Sequence, residues 1–168
     1  MSKKSILIIV FIGTFGLLSY LGFNVISKAK EKNKVAKQLE TIPEFKFLTF
    51  EQKPFKKANL KPNTNAIFIY FNSECDFCQH EAQSISTNLD SFKNVQFIFV
   101  STEPIAIIQQ FSKQYNLDNQ QNIIFLYDNL STFSRRFDAN SIPYLLIYDQ
   151  NQKLIKKHKG QLNAKGIL

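Results

Sequence analysis

The sequence predicts an α/β domain built on a mixed β-sheet flanked by helices, and three observations carry that expectation. Apolar runs of strand length at 66–71, 95–100 and 123–127 alternate with stretches whose apolar residues recur at helical spacing. Two further strand-like runs, Tyr144–Tyr148 and Lys153–Lys159, flank the turn Asp149-Gln150-Asn151-Gln152, the pattern of a hairpin and so of antiparallel pairing. At 168 residues and 44% apolar, with 17 Phe, the chain is long and apolar enough for one globular core, and it shows no second domain, repeat or low-complexity tract.

Taken in order, the chain starts with a segment of another kind. From Ser5 to Ser27 no residue is charged, and Ile6–Phe23 would span roughly 27 Å as a helix, about the thickness of a bilayer core. Neither a small-residue cleavage site of the A-x-A kind nor a cysteine to take a lipid follows it, so residues 1–27 are expected to be an uncleaved, single-pass transmembrane anchor rather than a secretory signal. Residues 28–41 are Lys-rich and read as a solvated juxtamembrane linker, closed by Pro43, with the folded domain over 42–168. Lys28, Lys30, Lys32, Lys34 and Lys37 outnumber Lys3 and Lys4, and the positive-inside rule alone would leave the domain in the cytoplasm. The thiol chemistry argued below favours the other side, where cytosolic reductants do not swamp it. Richness in Lys, Asn, Ile and Phe fits an AT-rich bacterial genome, so the expected location is the cytoplasmic membrane with the domain on its periplasmic, extracytoplasmic face.

Charge excludes one class of partner. Seven Lys against two Glu in residues 1–41 account for +5 of the net +8, and the remainder, 14 basic against 11 acidic residues, carries only +3. That is a modest surface charge, so no nucleic-acid partner is expected.

Within the domain, Phe45, Phe47 and Phe50 fit an opening strand, and Lys53-Pro54 and Lys61-Pro62-Asn63 mark turns. Ile67–Phe71 reads as a buried strand. Cys78, Ala82, Ile85 and Leu89 then follow at offsets of 4, 7 and 11 residues, the stripe of a helix that runs to about Ser91. Val95–Val100 is a second buried strand. Pro104 opens another helix, with Thr102 or Glu103 as cap and Ile105, Ile108, Phe111 and Tyr115 as its apolar face. Ile123–Tyr127 is a third strand, and Asp128–Phe137 a short helix with Phe133 and Phe137 on one side and Arg135 and Arg136 solvated. Pro143 stands where the Tyr144 strand begins, a position that tolerates proline. Lys153–Lys159 alternates like an edge strand whose charges discourage edge-to-edge pairing.

The chemistry-bearing stretch is Tyr70–Ala82, which holds both cysteines of the chain, Cys75 and Cys78, at C-x-x-C spacing. Such a pair can close a small disulfide ring. A helix beginning at Cys75 turns its unpaired N–H groups and positive dipole end toward that sulfur and stabilises the thiolate, the nucleophilic form. Cys78, one turn in and on the buried stripe, is then the sheltered resolving thiol. Glu81, three residues further and about 60° from the stripe, can accept or return its proton, whereas His80 points away. A zinc site needs more ligands than His80 and His158 would add, and their spacing is not that of a finger or ribbon.

With C-x-x-C at a strand-to-helix junction and Ile142-Pro143 leading into a terminal hairpin, the chain resembles thioredoxin-fold proteins, and more narrowly the membrane-anchored TlpA/ResA-like thiol-disulfide oxidoreductases. The resemblance covers roughly residues 42–162. It implies a thioredoxin-like fold in which Cys75 and Cys78 are the redox pair. Glu81 would be the glutamate this subgroup carries three residues past its second cysteine, Pro143 a proline held in cis, and Ile142 the residue that offers its backbone to a substrate strand. The helix and strand over 104–127 match the insertion of the subgroup. Three features differ: the chain has no Trp before Cys75, Ile69 stands where thioredoxin buries an acidic residue, and only eight residues follow Gly160, leaving the closing helix a stub or missing.

Glu74 and Asp76 flank the nucleophile, and nearby negative charge disfavours a thiolate, opposing the helix end. The expected couple is therefore a reductase nearer the thioredoxin value, roughly -270 mV, than a strong oxidant near roughly -120 mV. The predicted function is a membrane-tethered thiol-disulfide oxidoreductase of envelope proteins. Its partners would be a disulfide-bearing protein substrate and an upstream thiol electron donor, and it needs no cofactor beyond the Cys75-Cys78 disulfide itself. Two other readings are a peroxiredoxin-like antioxidant protein, although 68–75 lacks the proline and threonine of that context, and a thiol-based copper-delivery module.

Overall fold

The computed structural model describes residues 3–167, with side chains from residue 19 onward. The chain divides into two compact units, Met1–Gln38 and Leu39–Leu168. The helix α1 runs Lys3–Leu39, so all of it but its last residue belongs to the first unit. Most of the expected anchor lies outside the residues whose side chains are described, and among the described residues no helix is long and apolar enough to cross a membrane. The Lys-rich stretch is helical up to Leu39 and exposed apart from a half-buried Val35, and Leu39 is buried in the second unit.

The second unit is α/β, with a seven-stranded mixed sheet among the described residues. Its strands are β1 (Lys46–Leu48), β2 (Pro54–Lys56), β3 (Asn65–Tyr70), β4 (Val95–Ser101), β5 (Ile123–Tyr127), β6 (Tyr144–Tyr148) and β7 (Leu154–Lys159), in the order β2-β1-β5-β4-β3-β6-β7. β5, β4 and β3 pair in parallel, and the other pairings are antiparallel. The helices are α2 (Asp76–Ser86), α3 (Ile105–Gln114), α4 (Phe133–Phe137) and α5 (Ala164–Ile167). A parallel β3–β4–β5 run requires crossover connections, which α2 and α3 supply.

β3 is sealed on both faces and its residues alternate between two cores. Ile67, Ile69 and Phe71 join Phe97, Phe99, Leu145 and Ile147 against Cys78, Ala82 and Ile85 of α2 and Ile108 and Phe111 of α3. Phe68 faces the other way, its ring within 6.4 Å of those of Phe45, Phe133, Phe137 and Tyr148. A period of two thus partitions one strand between a core that carries the cysteines and a core of stacked aromatic rings.

Several elements differ from expectation. Pro54 opens β2 rather than marking only a turn, because β2 is the sheet edge and a proline there forfeits no ladder bond. α2 ends at Ser86 and not near Ser91: Thr87 Oγ1 and Asn88 Nδ2 donate back to the carbonyls of Gln83 and Ser84, and a separate 3-10 turn covers Leu89–Ser91. α3 has Pro104 at its N-cap, with neither Thr102 nor Glu103 capping it. α4 is confined to Phe133–Phe137 because the buried Asp128 carboxylate accepts from Phe133 N at 2.7 Å and from Thr132 Oγ1, starting the helix five residues after Asp128. The closing helix is the stub α5, whose Ala164 and Ile167 are buried.

Candidate active site

The site forms where β3 hands over to α2. Pairing with β4 continues one residue past β3 through Phe71 N to Val100 O at 3.0 Å, and Cys75 N then donates to Asn72 O at 3.3 Å, closing a turn that brings Cys75 to the N-cap of α2. Cys75 has extended backbone and gives no side-chain cap, while its carbonyl accepts from Cys78 N and Gln79 N. The remaining N–H groups of the first turn therefore keep their partial positive charge beside the Cys75 sulfur.

Burial separates the two thiols, both of which are free. Cys75 is half-buried, and its Sγ lies 3.8 Å from the carbonyl oxygen of Ile142, the acceptor for its S–H. Cys78 is 1% exposed. Its thiol is pushed well up, first by burial and then by the neighbouring Cys75 and the charge of Glu81, while the peptide N–H of Asn72 works against the shift by hydrogen-bonding the sulfur.

Glu81 is fully buried on α2. Its Oε2 accepts from Leu162 N at 2.6 Å, and Oε1 accepts no hydrogen bond from a described residue. Burial raises its carboxyl to about 7, with the Leu162 N–H pulling the other way. A carboxyl poised near neutrality beside a buried thiol can both take and return a proton. His80 is exposed on the opposite side of the helix.

Ile142 and Pro143 arrive from the loop before β6. Their peptide bond is cis, Ile142 is 41% exposed, and Pro143 is buried with its carbonyl accepting from Gly160 N at 2.8 Å. The structure thus brings Cys75, Cys78, Glu81, Ile142 and Pro143 to one end of the sheet. Among the described residues no group of three His, Cys, Asp or Glu side chains is arranged to hold a metal ion.

Three contributors were not legible beforehand. Leu162 acts through its backbone N–H, which no side chain announces. Gln79 Nε2 donates to Ser73 O at 2.9 Å, tying α2 back onto the loop that precedes it. Glu103, read as a helix cap, instead turns its carboxylate onto Ser73, whose N and Oγ donate to it at 2.8 and 2.6 Å. A cavity of about 320 Å³ opens there, lined by Ser73, Glu74, Glu103, Ile107 and Phe111 among others.

The sequence profile of the AhpC/TSA family matches residues 39–160. No curated protein matches the chain. Among solved structures it is similar to a secreted Mycobacterium tuberculosis disulfide oxidoreductase described as homologous to E. coli DsbE, at 22% identity and TM-score 0.60, over 76% of this chain and 89% of that one. StoA from Bacillus subtilis matches at 16% identity and TM-score 0.58, over 75% and 94%. A thioredoxin-like protein from Aeropyrum pernix matches at 14% identity and TM-score 0.61, over 85% and 94%. At these identities the likeness is one of fold, and the fold is thioredoxin-like.

Proposed function

The chain belongs to the AhpC/TSA family, and from that premise we propose that it is a thiol-disulfide oxidoreductase that reduces protein disulfides with the Cys75-Cys78 dithiol. The observation that carries this reading is the asymmetry of the pair: a half-exposed Cys75 at a helix N-terminus and a sealed Cys78 beside a carboxyl near neutrality.

In the forward half-reaction the Cys75 thiolate attacks one sulfur of a substrate disulfide. A Cys75–substrate S–S bond forms, the substrate S–S bond breaks, and one substrate thiolate leaves. Cys78, its proton taken by Glu81, then attacks the Cys75 sulfur. The Cys75-Cys78 disulfide forms and the second substrate thiolate leaves, taking a proton. Two electrons have moved from the dithiol to the substrate, and an upstream dithiol donor returns them by the reverse exchange. The Ile142 backbone beside Cys75 is where an extended substrate segment would lie.

The reading narrows to the TlpA/ResA-like, membrane-anchored branch. Glu81 three residues past Cys78, the α3–β5 insertion and the uncharged stretch Ser5–Ser27 support it. Tethering through residues 1–27 would hold the domain on the extracytoplasmic face. Glu74 and Asp76, both exposed and the latter in the first turn of α2, favour the reducing direction.

The deciding experiment is the equilibrium reduction potential of Cys75-Cys78 in the full chain in detergent, read by thiol labelling across a redox-buffer series. A reversible two-electron transition below about -220 mV is expected. A value far above it would make the protein an oxidase. Consumption of hydrogen peroxide by the reduced chain faster than it exchanges with disulfides would replace the reading with a peroxidase.

A further inference from the structure

The residues between β3 and α2 present the reactive sulfur, yet no ladder or helix bond holds most of them. Side chains do. Asn72 Oδ1 accepts from Glu74 N at 2.9 Å, and Gln79 Nε2 holds Ser73 O. The strongest hold comes from 30 residues away, where the Glu103 carboxylate takes Ser73 N on Oε2 and Ser73 Oγ on Oε1. Ser101, buried at the end of β4, fixes the carboxylate in turn: its Oγ donates to Oε2 at 3.1 Å and accepts from Glu103 N at 3.2 Å. Hydrogen bonds to an ionised acceptor are roughly twice as strong as neutral ones. The helix that follows makes no use of this carboxylate, since its N-cap is Pro104.

Ser73 lies inside the turn that carries Cys75. The residue before it, Asn72, accepts from Cys75 N at 3.3 Å through its carbonyl, and two residues after it comes Cys75, whose Sγ faces Ile142 O. A clamp on Ser73 therefore sets the turn that presents the attacking sulfur to its partner on α2.

We propose that Glu103 is a positioning residue for thiol-disulfide exchange, acting through Ser73 to hold the 72–75 turn and with it Cys75 at the α2 N-cap. The inference rests on the exchange chemistry proposed above. Its effect falls most on the resolving step, because the first attack needs only the half-exposed Cys75 sulfur, whereas ring closure needs that sulfur held in line with the buried Cys78 one turn along α2. Without the clamp, Cys75 still attacks, but the mixed disulfide waits longer for Cys78.

The test follows the reduced full chain reacting with oxidised glutathione. The first glutathione thiol leaves as Cys75 is glutathionylated. The second leaves as the Cys75-Cys78 disulfide closes, and mass spectrometry counts the intermediate between them. Glu103→Ala is expected to slow the second release by about 10-fold or more and to accumulate the glutathionylated chain, a misplacement of about 1 Å being worth up to about 100-fold. Glu103→Gln keeps an oxygen for Ser73 N and an amide for Ser73 Oγ, so it should return to within about threefold of the wild-type rate. An effect on folding alone would move the melting temperature and leave this partition unchanged. Resolution at the wild-type rate in Glu103→Ala overturns the proposal. So does equal impairment in Glu103→Gln, which would assign the effect to charge and not to the clamp. If Glu103→Ala does not fold, Ser73→Ala removes the Oγ contact alone and should slow the same step about two- to fivefold, with no slowing counting against the clamp. A wild-type chain that never forms Cys75-Cys78 with oxidised glutathione would instead remove the exchange chemistry itself.

Discussion

The two faces of the sheet bury polar groups under the same physical pressure and with opposite results. On the aromatic face, burial raises the Tyr148 hydroxyl further above its ordinary value, and Tyr144 adds to the shift. A phenol already neutral is locked neutral. On the cysteine face, burial raises Glu81 from 4.5 to about 7, into the range where a proton is both held and released. Desolvation raises the pKa of any neutral acid and so brings it toward the working pH only where the ordinary value lies below it, which is why the same cause locks Tyr148 neutral and makes Glu81 a proton carrier.

The aromatic face should therefore respond to mutation through stability alone. Phe68 is fully buried, with four ring partners at 5.0 to 6.4 Å. Phe68→Ala leaves a cavity in stacked rings and is expected to cost about 3–5 kcal/mol. Urea unfolding at pH 7 measures the cost. The rate of Cys75 alkylation in the folded fraction should stay within about twofold of wild type, since about 1 Å of movement at the site would already show as a far larger change. A large change in that rate would mean the two faces are mechanically coupled, and the comparison would lose its force.

The cysteine face should respond in the other sense. Glu81 has a folded pKa above its unfolded one, so the folded state binds more protons between about pH 4.5 and 7, and stability is lost as pH rises through that window. The shift corresponds to about 3 kcal/mol. Glu81→Gln removes the titration, so the variant should gain up to about 3 kcal/mol on the wild type between pH 4.5 and pH 8, read by urea unfolding at both values. Resolution of the mixed disulfide should slow, because Gln cannot take the Cys78 proton. A stability difference flat with pH would show that burial does not hold Glu81 near neutrality.

How far the sequence disclosed these faces follows from what each rests on. β3, β4, β5 and β6 were legible because strands buried on both sides are nearly all apolar, as in Asn65–Tyr70 and Tyr144–Tyr148. The cysteine pair and Glu81 were legible because helical spacing alone sets their relation. What escaped depends on partners distant in sequence or on backbone groups. An acidic residue ahead of Pro104 reads as a helix cap, and nothing local shows that Ser73 claims it. The 3-residue β2 behind Lys53-Pro54 looks like a turn until β1 is seen pairing with it. Thr87 and Asn88 suit a helix surface as well as a helix end, and only their back-bonded side chains decide which they are.

The smallest expected effect sharpens the comparison most, because it concerns a charge that neither face buries. Asp76 is exposed in the first turn of α2, where its carboxylate competes with the Cys75 thiolate for the same N–H groups and dipole end. Asp76→His removes that competitor and adds a group that is partly cationic near neutral pH. Exposed charges at a helix terminus are worth about 0.3–1 kcal/mol each, so the reduced form should gain enough to raise the potential by roughly 10–40 mV. Thiol labelling in redox buffers resolves a shift of that size. High salt should shrink it, because the interaction is solvent-screened. An unchanged potential would mean that the thiolate is governed by the fixed hydrogen bonds of the 72–75 loop and not by its flanking charges. The reducing direction would then rest on the geometry that Glu103 holds.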